Sequence, residues 1–99
     1  MPLRRFVVHD RSMLPSLQPG DGLLATDRWP ARVGQIRCLP DPTTRGRWLV
    51  KRITEVSGGR MTVSSDNLEV TTLDSREFGR VPVAGSYAVL LRIPARLLR

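Results

Sequence analysis

Apolar positions along the chain come in short runs broken by turn residues. The runs 6–8, 23–26, 35–39, 48–56, 60–63 and 87–93 are each rich in Val, Ile, Leu or aromatic residues and predict six strands. Gly58-Gly59 lies between the fourth and fifth runs and suits the positive φ angles of a two-residue hairpin, so 48–56 is expected to fold back onto 60–63. Pro19-Gly20-Asp21-Gly22 predicts another turn, and the stretch 40–46, with Pro40 and Pro42, predicts a loop that blocks a ladder. The expected fold is mainly β, a single domain over residues 1–99. One segment differs in kind: Ser12-Met13-Leu14-Pro15-Ser16-Leu17 follows a strand and predicts one short helical turn with Ser12 at its amino-terminal end.

Length sharpens this picture. Ninety-nine residues can bury one core and not two, which rules out a multidomain enzyme or a dinucleotide-binding sheet. Cys38 is the sole cysteine and His9 the sole histidine, so an internal disulfide and a zinc site are excluded, and no metal or other cofactor is expected. Arg4 and Arg5 are followed by no signal-peptide core, and no stretch approaches the roughly twenty apolar residues of a membrane helix. A soluble, cytoplasmic protein without a transmembrane anchor is expected. Contact of the Leu/Arg-rich end with a membrane surface stays open, and oligomeric state is not readable. The net charge of +7 is spread evenly over both halves, with one Tyr and no basic-aromatic run, so specific nucleic-acid binding is not expected.

The basic residues are fifteen Arg and one Lys, Lys51. In Trp48-Leu49-Val50-Lys51-Arg52-Ile53, strand alternation puts Lys51 on a face with Leu49 and Ile53, and Arg52 on the other with Trp48 and Val50. An ammonium between Leu49 and Ile53 loses hydration. Burial favours the neutral amine and lowers a lysine pKa from about 10.4 toward the working pH, which makes a general base. An arginine stays protonated and cannot take that part. Taken alone, each residue also has a plain structural explanation: a snorkelling surface lysine and a capping serine.

Read together, the two segments carry more. Ser12-Met13-Leu14-Pro15-Ser16-Leu17-Gln18-Pro19-Gly20-Asp21 resembles the Ser-Met-x-Pro-x-Leu-x-x-Gly-Asp box of the type I signal peptidases and their relatives, the Ser/Lys-dyad serine peptidases. Val50-Lys51-Arg52-Ile53 resembles the same family's lysine box. Asp66-Asn67 and Asp74-Ser75-Arg76-Glu77-Phe78-Gly79-Arg80-Val81 resemble its last box. The resemblance implies a signal peptidase/LexA-like β-ribbon fold and a serine endopeptidase in which Ser12 Oγ attacks and neutral Lys51 takes the proton, with no histidine or cofactor. It implies the Ser12 backbone N–H as first oxyanion donor, Thr72 as the hydroxyl that bonds the lysine, and Asp74 and Arg76 as a supporting ion pair, with Ser75 in the same box. A substrate-binding set is not implied. At the position where some relatives carry a second oxyanion hydroxyl stands Asp10, a carboxylate that repels an oxyanion, and the family's Gly before Asp-Asn is Ser65. The chain is most similar to the short soluble maturation peptidases of nickel-type superoxide dismutase, which implies a protein precursor as partner, its leader removed.

Other readings compete. His9, Asp10 and Ser12 suggest a classical triad, but residues this close on one segment rarely align three side chains. Cys38 between Arg37 and Leu39 reads as a small buried hydrophobe rather than a nucleophile. The LexA-like autopeptidase domain shares the Ser-Met and Lys elements without the last box. The non-enzymatic alternative is a basic β module that binds nucleic acid or protein.

Overall fold

Strand-forming runs separated by Gly- and Pro-bearing turns can satisfy their backbone groups only by pairing with one another, and here they pair antiparallel throughout. The computed structural model describes residues 3–69 and 75–98. Its elements are β1 (Leu3–Val7), β2 (Gly22–Thr26), β3 (Ile36–Pro40), β4 (Trp48–Ser57), β5 (Arg60–Ser64), the short helix α1 (Ser75–Phe78), β6 (Val81–Pro82), β7 (Tyr87–Ile93) and a 3-10 turn, Ala95–Leu97. The strands form one antiparallel sheet in the order β1-β2-β7-β3-β4-β5-β6. The fold class is thus mainly β in one small domain.

All six expected strands are present, 87–93 with the expected ends and the other five with shifted ones. β1 starts at Leu3 because its Arg4 and Arg5 pair across to Ala25 and Leu24, a partnership that apolar content alone does not reveal. Pro40 is not the start of the loop but the last residue of β3, opposite Trp48, where the strand is ending and a missing N–H costs little. β6 is only two residues long and too short to show an alternation. Gly58 and Gly59 take φ of 56° and 77°, the two successive positive values that the tight β4–β5 hairpin requires.

β4 organises the interior. Along it Leu49, Lys51 and Ile53 are buried, and the intervening Trp48, Val50 and Arg52 are half-buried. Leu49 and Ile53 join Leu39, Met61, Val63 and Val81 in one apolar cluster. Trp48 and Val50 pack instead against a second cluster of Val8, Met13, Leu17, Leu23 and Cys38. Met13 and Leu17 are the anchors by which the 12–17 segment is pressed onto the sheet. The segment is a single turn closed by the Leu17 N–H donating to the Met13 carbonyl at 2.9 Å, and it contains a cis Leu14–Pro15 peptide.

The end of this segment is tied down by Gly20 and Asp21. Gly20 has φ +91°, and a Cβ there would lie 3.1 Å from the Ala95 Cβ, so a side chain would meet both a strained backbone and a tight contact. The buried Asp21 carboxylate accepts from the Gln18 N–H at 2.8 Å, the Ala95 N–H at 2.9 Å and Arg92 Nε at 2.7 Å. These bonds join the 12–21 segment to the end of β7. Among the described residues no helix is long and apolar enough to cross a membrane.

Candidate active site

The chain leaves β1 at Val7, buries Val8, and then turns at Asp10 through Ser12 into the anchored segment. Ser12 is 3% exposed. It does not cap the turn with free N–H groups around it, as its position in the sequence suggested. Its own N–H donates to Asp10 Oδ1 at 2.9 Å, so Asp10 does the capping from two residues upstream. Burial pushes the Asp10 carboxyl up, but the Ser12 N–H and hydroxyl, together with the charges of Lys51 and Arg47, outweigh it and hold the group below the usual carboxylate range. Lys51 is therefore close enough for its charge to act on the carboxylate that Ser12 binds.

Lys51 is 1% exposed, which replaces the snorkelling alternative with a fully buried amine between Leu49 and Ile53. Its Nζ donates to Ser65 Oγ at 2.9 Å, and Ser65 is itself buried. The hydroxyl expected at the lysine was that of Thr72, which lies outside the described residues. Ser65 stands where the resembled family has glycine, and its hydroxyl is what the lysine binds. Ser65→Ala is expected to cost about 1–2 kcal/mol by thermal melting, and Ser65→Thr to restore most of it; an unchanged melting curve in Ser65→Ala would show that the bond does not stabilise the buried amine.

The residues after Lys51 and Ser65 brace the serine turn. Arg52 grips Asp66 with two bonds, Nε to Oδ1 at 2.9 Å and Nη2 to Oδ2 at 2.8 Å, and donates Nη1 to the Gly34 carbonyl at 2.7 Å. Ser16 Oγ donates to Asp66 Oδ2 at 2.6 Å. Asn67 completes the clamp: its N–H donates to the Ser12 carbonyl at 2.9 Å and its Nδ2 to the Arg11 carbonyl at 3.0 Å. Lys51-Arg52 and Ser65-Asp66-Asn67 thus act as two short strips, one residue of each meeting at the amine and the next at the serine turn. Of the last box, Asp74 lies outside the described residues, Ser75 opens α1, and Arg76 is exposed on that helix.

Ser12 opens onto a cleft of about 390 Å³ whose walls include Phe6, Val8, Met13, Trp48 and Val50, with Asp10 at Ser12 and Arg47 facing it. The apolar walls come from β1, the serine turn and the face of β4 opposite Lys51. His9 is exposed at the same cleft. Cys38 is fully buried, and burial pushes its thiol up to about 12, which removes it as a nucleophile. Arg37, equally buried and paired across β3 and β4 with Lys51, is held by neutral acceptors: Gln35 Oε1 at 2.9 Å, the Trp29 carbonyl at 2.6 Å and Ser86 Oγ at 3.3 Å. Among the described residues no group of three or more His, Cys, Asp or Glu side chains is placed to hold a metal ion. No protein-family model matches the chain, and no curated protein matches it.

Proposed function

We propose that the chain is a serine endopeptidase with a Ser12/Lys51 dyad that removes an amino-terminal leader from a protein precursor, the precursor of a nickel-type superoxide dismutase being the first candidate. The observation that carries this reading is a fully buried lysine, held on a hydroxyl, one residue before the arginine that braces the turn of a buried serine at the mouth of a cleft with apolar walls. Burying an amine is costly to the fold while it is charged, and an amine in such a place is suited to act as a base. The three sequence boxes point to the same pair.

In the reaction, Ser12 Oγ bonds to the scissile carbonyl carbon while its proton passes to Lys51 Nζ and the carbonyl π pair moves onto oxygen. Collapse of that intermediate breaks the C–N bond, and Lys51 returns the proton to the leaving amine. Water then bonds to the acyl carbon, giving its proton to Lys51; the ester C–O bond breaks and Ser12 Oγ regains a proton. Charge on the tetrahedral oxygen calls for the Ser12 N–H, and the Ser65 bond keeps Nζ directed throughout.

The test is incubation of the purified chain with a nickel superoxide dismutase precursor and with unrelated leader-bearing precursors, read by intact mass. A single cut at the leader, absent in Ser12→Ala, is expected. Cleavage undiminished by Ser12→Ala would overturn the proposal. Tight, salt-sensitive nucleic-acid binding with no cleavage of any precursor would favour the basic β module instead.

A further inference from the structure

We propose that Asp10 is an internal stopper of this site: its carboxylate takes the place on the Ser12 N–H that the substrate's carbonyl oxygen needs, and the substrate must displace it before Ser12 can attack. The inference rests on Ser12 being the nucleophile. A backbone N–H has one hydrogen to give, and at 2.9 Å this one is given to Asp10 Oδ1. The tetrahedral intermediate would bring a second negative oxygen to the same donor, and two anions cannot share it.

The contact also works against the base. The positive charge of Lys51 is felt at Asp10, and by reciprocity the carboxylate favours the protonated amine, which has no lone pair to accept the serine proton. One side chain therefore opposes both halves of the dyad. Displacing it disturbs no packing, because Asp10 is exposed at the rim while Val8 and Met13, the apolar anchors on either side, stay buried. The stopper is local in sequence, two residues from the nucleophile, so it forms whenever the turn forms. It makes the resting site a carboxylate-binding position that its own chain fills. Once the Asp10 side chain is removed, a small free carboxylate such as acetate has the same donor to bind.

The experiment measures the rate at which a fluorophosphonate probe labels Ser12 in the full chain, located and counted by mass spectrometry. In that step the Oγ–P bond forms, the P–F bond breaks with loss of fluoride, and the hydroxyl proton goes to Lys51; the phosphoryl oxygen needs the Ser12 N–H just as a carbonyl does. Asp10→Ala is expected to label about tenfold to a hundredfold faster than wild type, within the range one oxyanion donor commands. Asp10→Asn, which keeps the shape without the charge, is expected to fall between. Acetate is expected to slow Asp10→Ala and leave wild type unchanged. Equal or slower labelling in both variants, with Ser12 still modified, would overturn the stopper and leave the nucleophile standing. Ser12 unlabelled in every variant, with unchanged melting curves, would overturn the nucleophile and the stopper with it. Where Asp10→Ala melts early, Asp10→Asn and Asp10→Ser decide the question.

Discussion

Lys51→Met is expected to abolish leader cleavage, by about ten-thousandfold, while leaving the protein as stable as wild type or slightly more so. The two effects have one cause. Lys51 is fully buried between Leu49 and Ile53, where a charged amine is costly and an unbranched apolar chain one atom shorter packs well. Lys51→Arg sharpens the test, because arginine keeps the charge and the hydrogen bonds but never accepts a proton at working pH. It is expected to be as inactive as Lys51→Met and clearly less stable, since the larger guanidinium does not fit the amine's site. Cleavage assays and thermal melts on both variants, with His9→Ala alongside, check this. Activity in Lys51→Arg would eliminate the dyad, and loss in His9→Ala with Lys51→Met active would restore the histidine triad.

The second large effect is expected at Asp66. Asp66→Ala removes the acceptor of both Arg52 bonds and of the Ser16 hydroxyl, and is expected to cost about 2–3 kcal/mol, the lower figure being favoured because Arg52 is about a third exposed. It also loosens the strip that carries Asn67 onto the Ser12 carbonyl, so cleavage is expected to fall about a hundredfold even at temperatures where the variant is fully folded. The pH dependence gives an independent readout. The Arg52 bonds, foremost, hold the Asp66 carboxyl below its ordinary value of 3.8 in spite of burial. A carboxyl depressed in the folded state binds fewer protons there than when unfolded, so its contribution is complete above about pH 4 and is lost as pH falls through the lower folded value. Wild type is therefore expected to lose stability below pH 4 more steeply than Asp66→Asn. Parallel acid limbs in the two melting series would show that the pair does not stabilise the fold.

Much of the framework was legible from local pattern. Period-2 alternation in 48–56 placed Lys51 with Leu49 and Ile53, and Gly58-Gly59 announced the hairpin, because both depend on residues within one or two positions of each other. The ends of strands were less legible: Leu3 through Arg5 belong to β1 only because β2 lies beside them. The site divides in the same way. Ser12 and Lys51 stood out as residue types in a context that suits a nucleophile and a base, and the sequence by itself decided that a serine follows a strand and that the chain's one lysine sits on an apolar face.

What only the tertiary structure decided is who touches whom. Ser65 is fourteen positions from Lys51 and Asp66 is fifty from Ser16; the β4–β5 hairpin brings residues 51–52 beside 65–66, and the segment anchored by Met13 and Leu17 brings Ser16 to Asp66. The role of Asp10 shows the converse. Its proximity to Ser12 was plain in the sequence, and its charge was recognised as hostile to an oxyanion, but whether the carboxylate points away or onto the Ser12 N–H depends on the direction of the chain as it leaves β1 into a turn anchored by Met13 and Leu17. Local pattern determines which side chains share a face. The packing of distant segments determines which polar groups, once cut off from water, have only each other to bond.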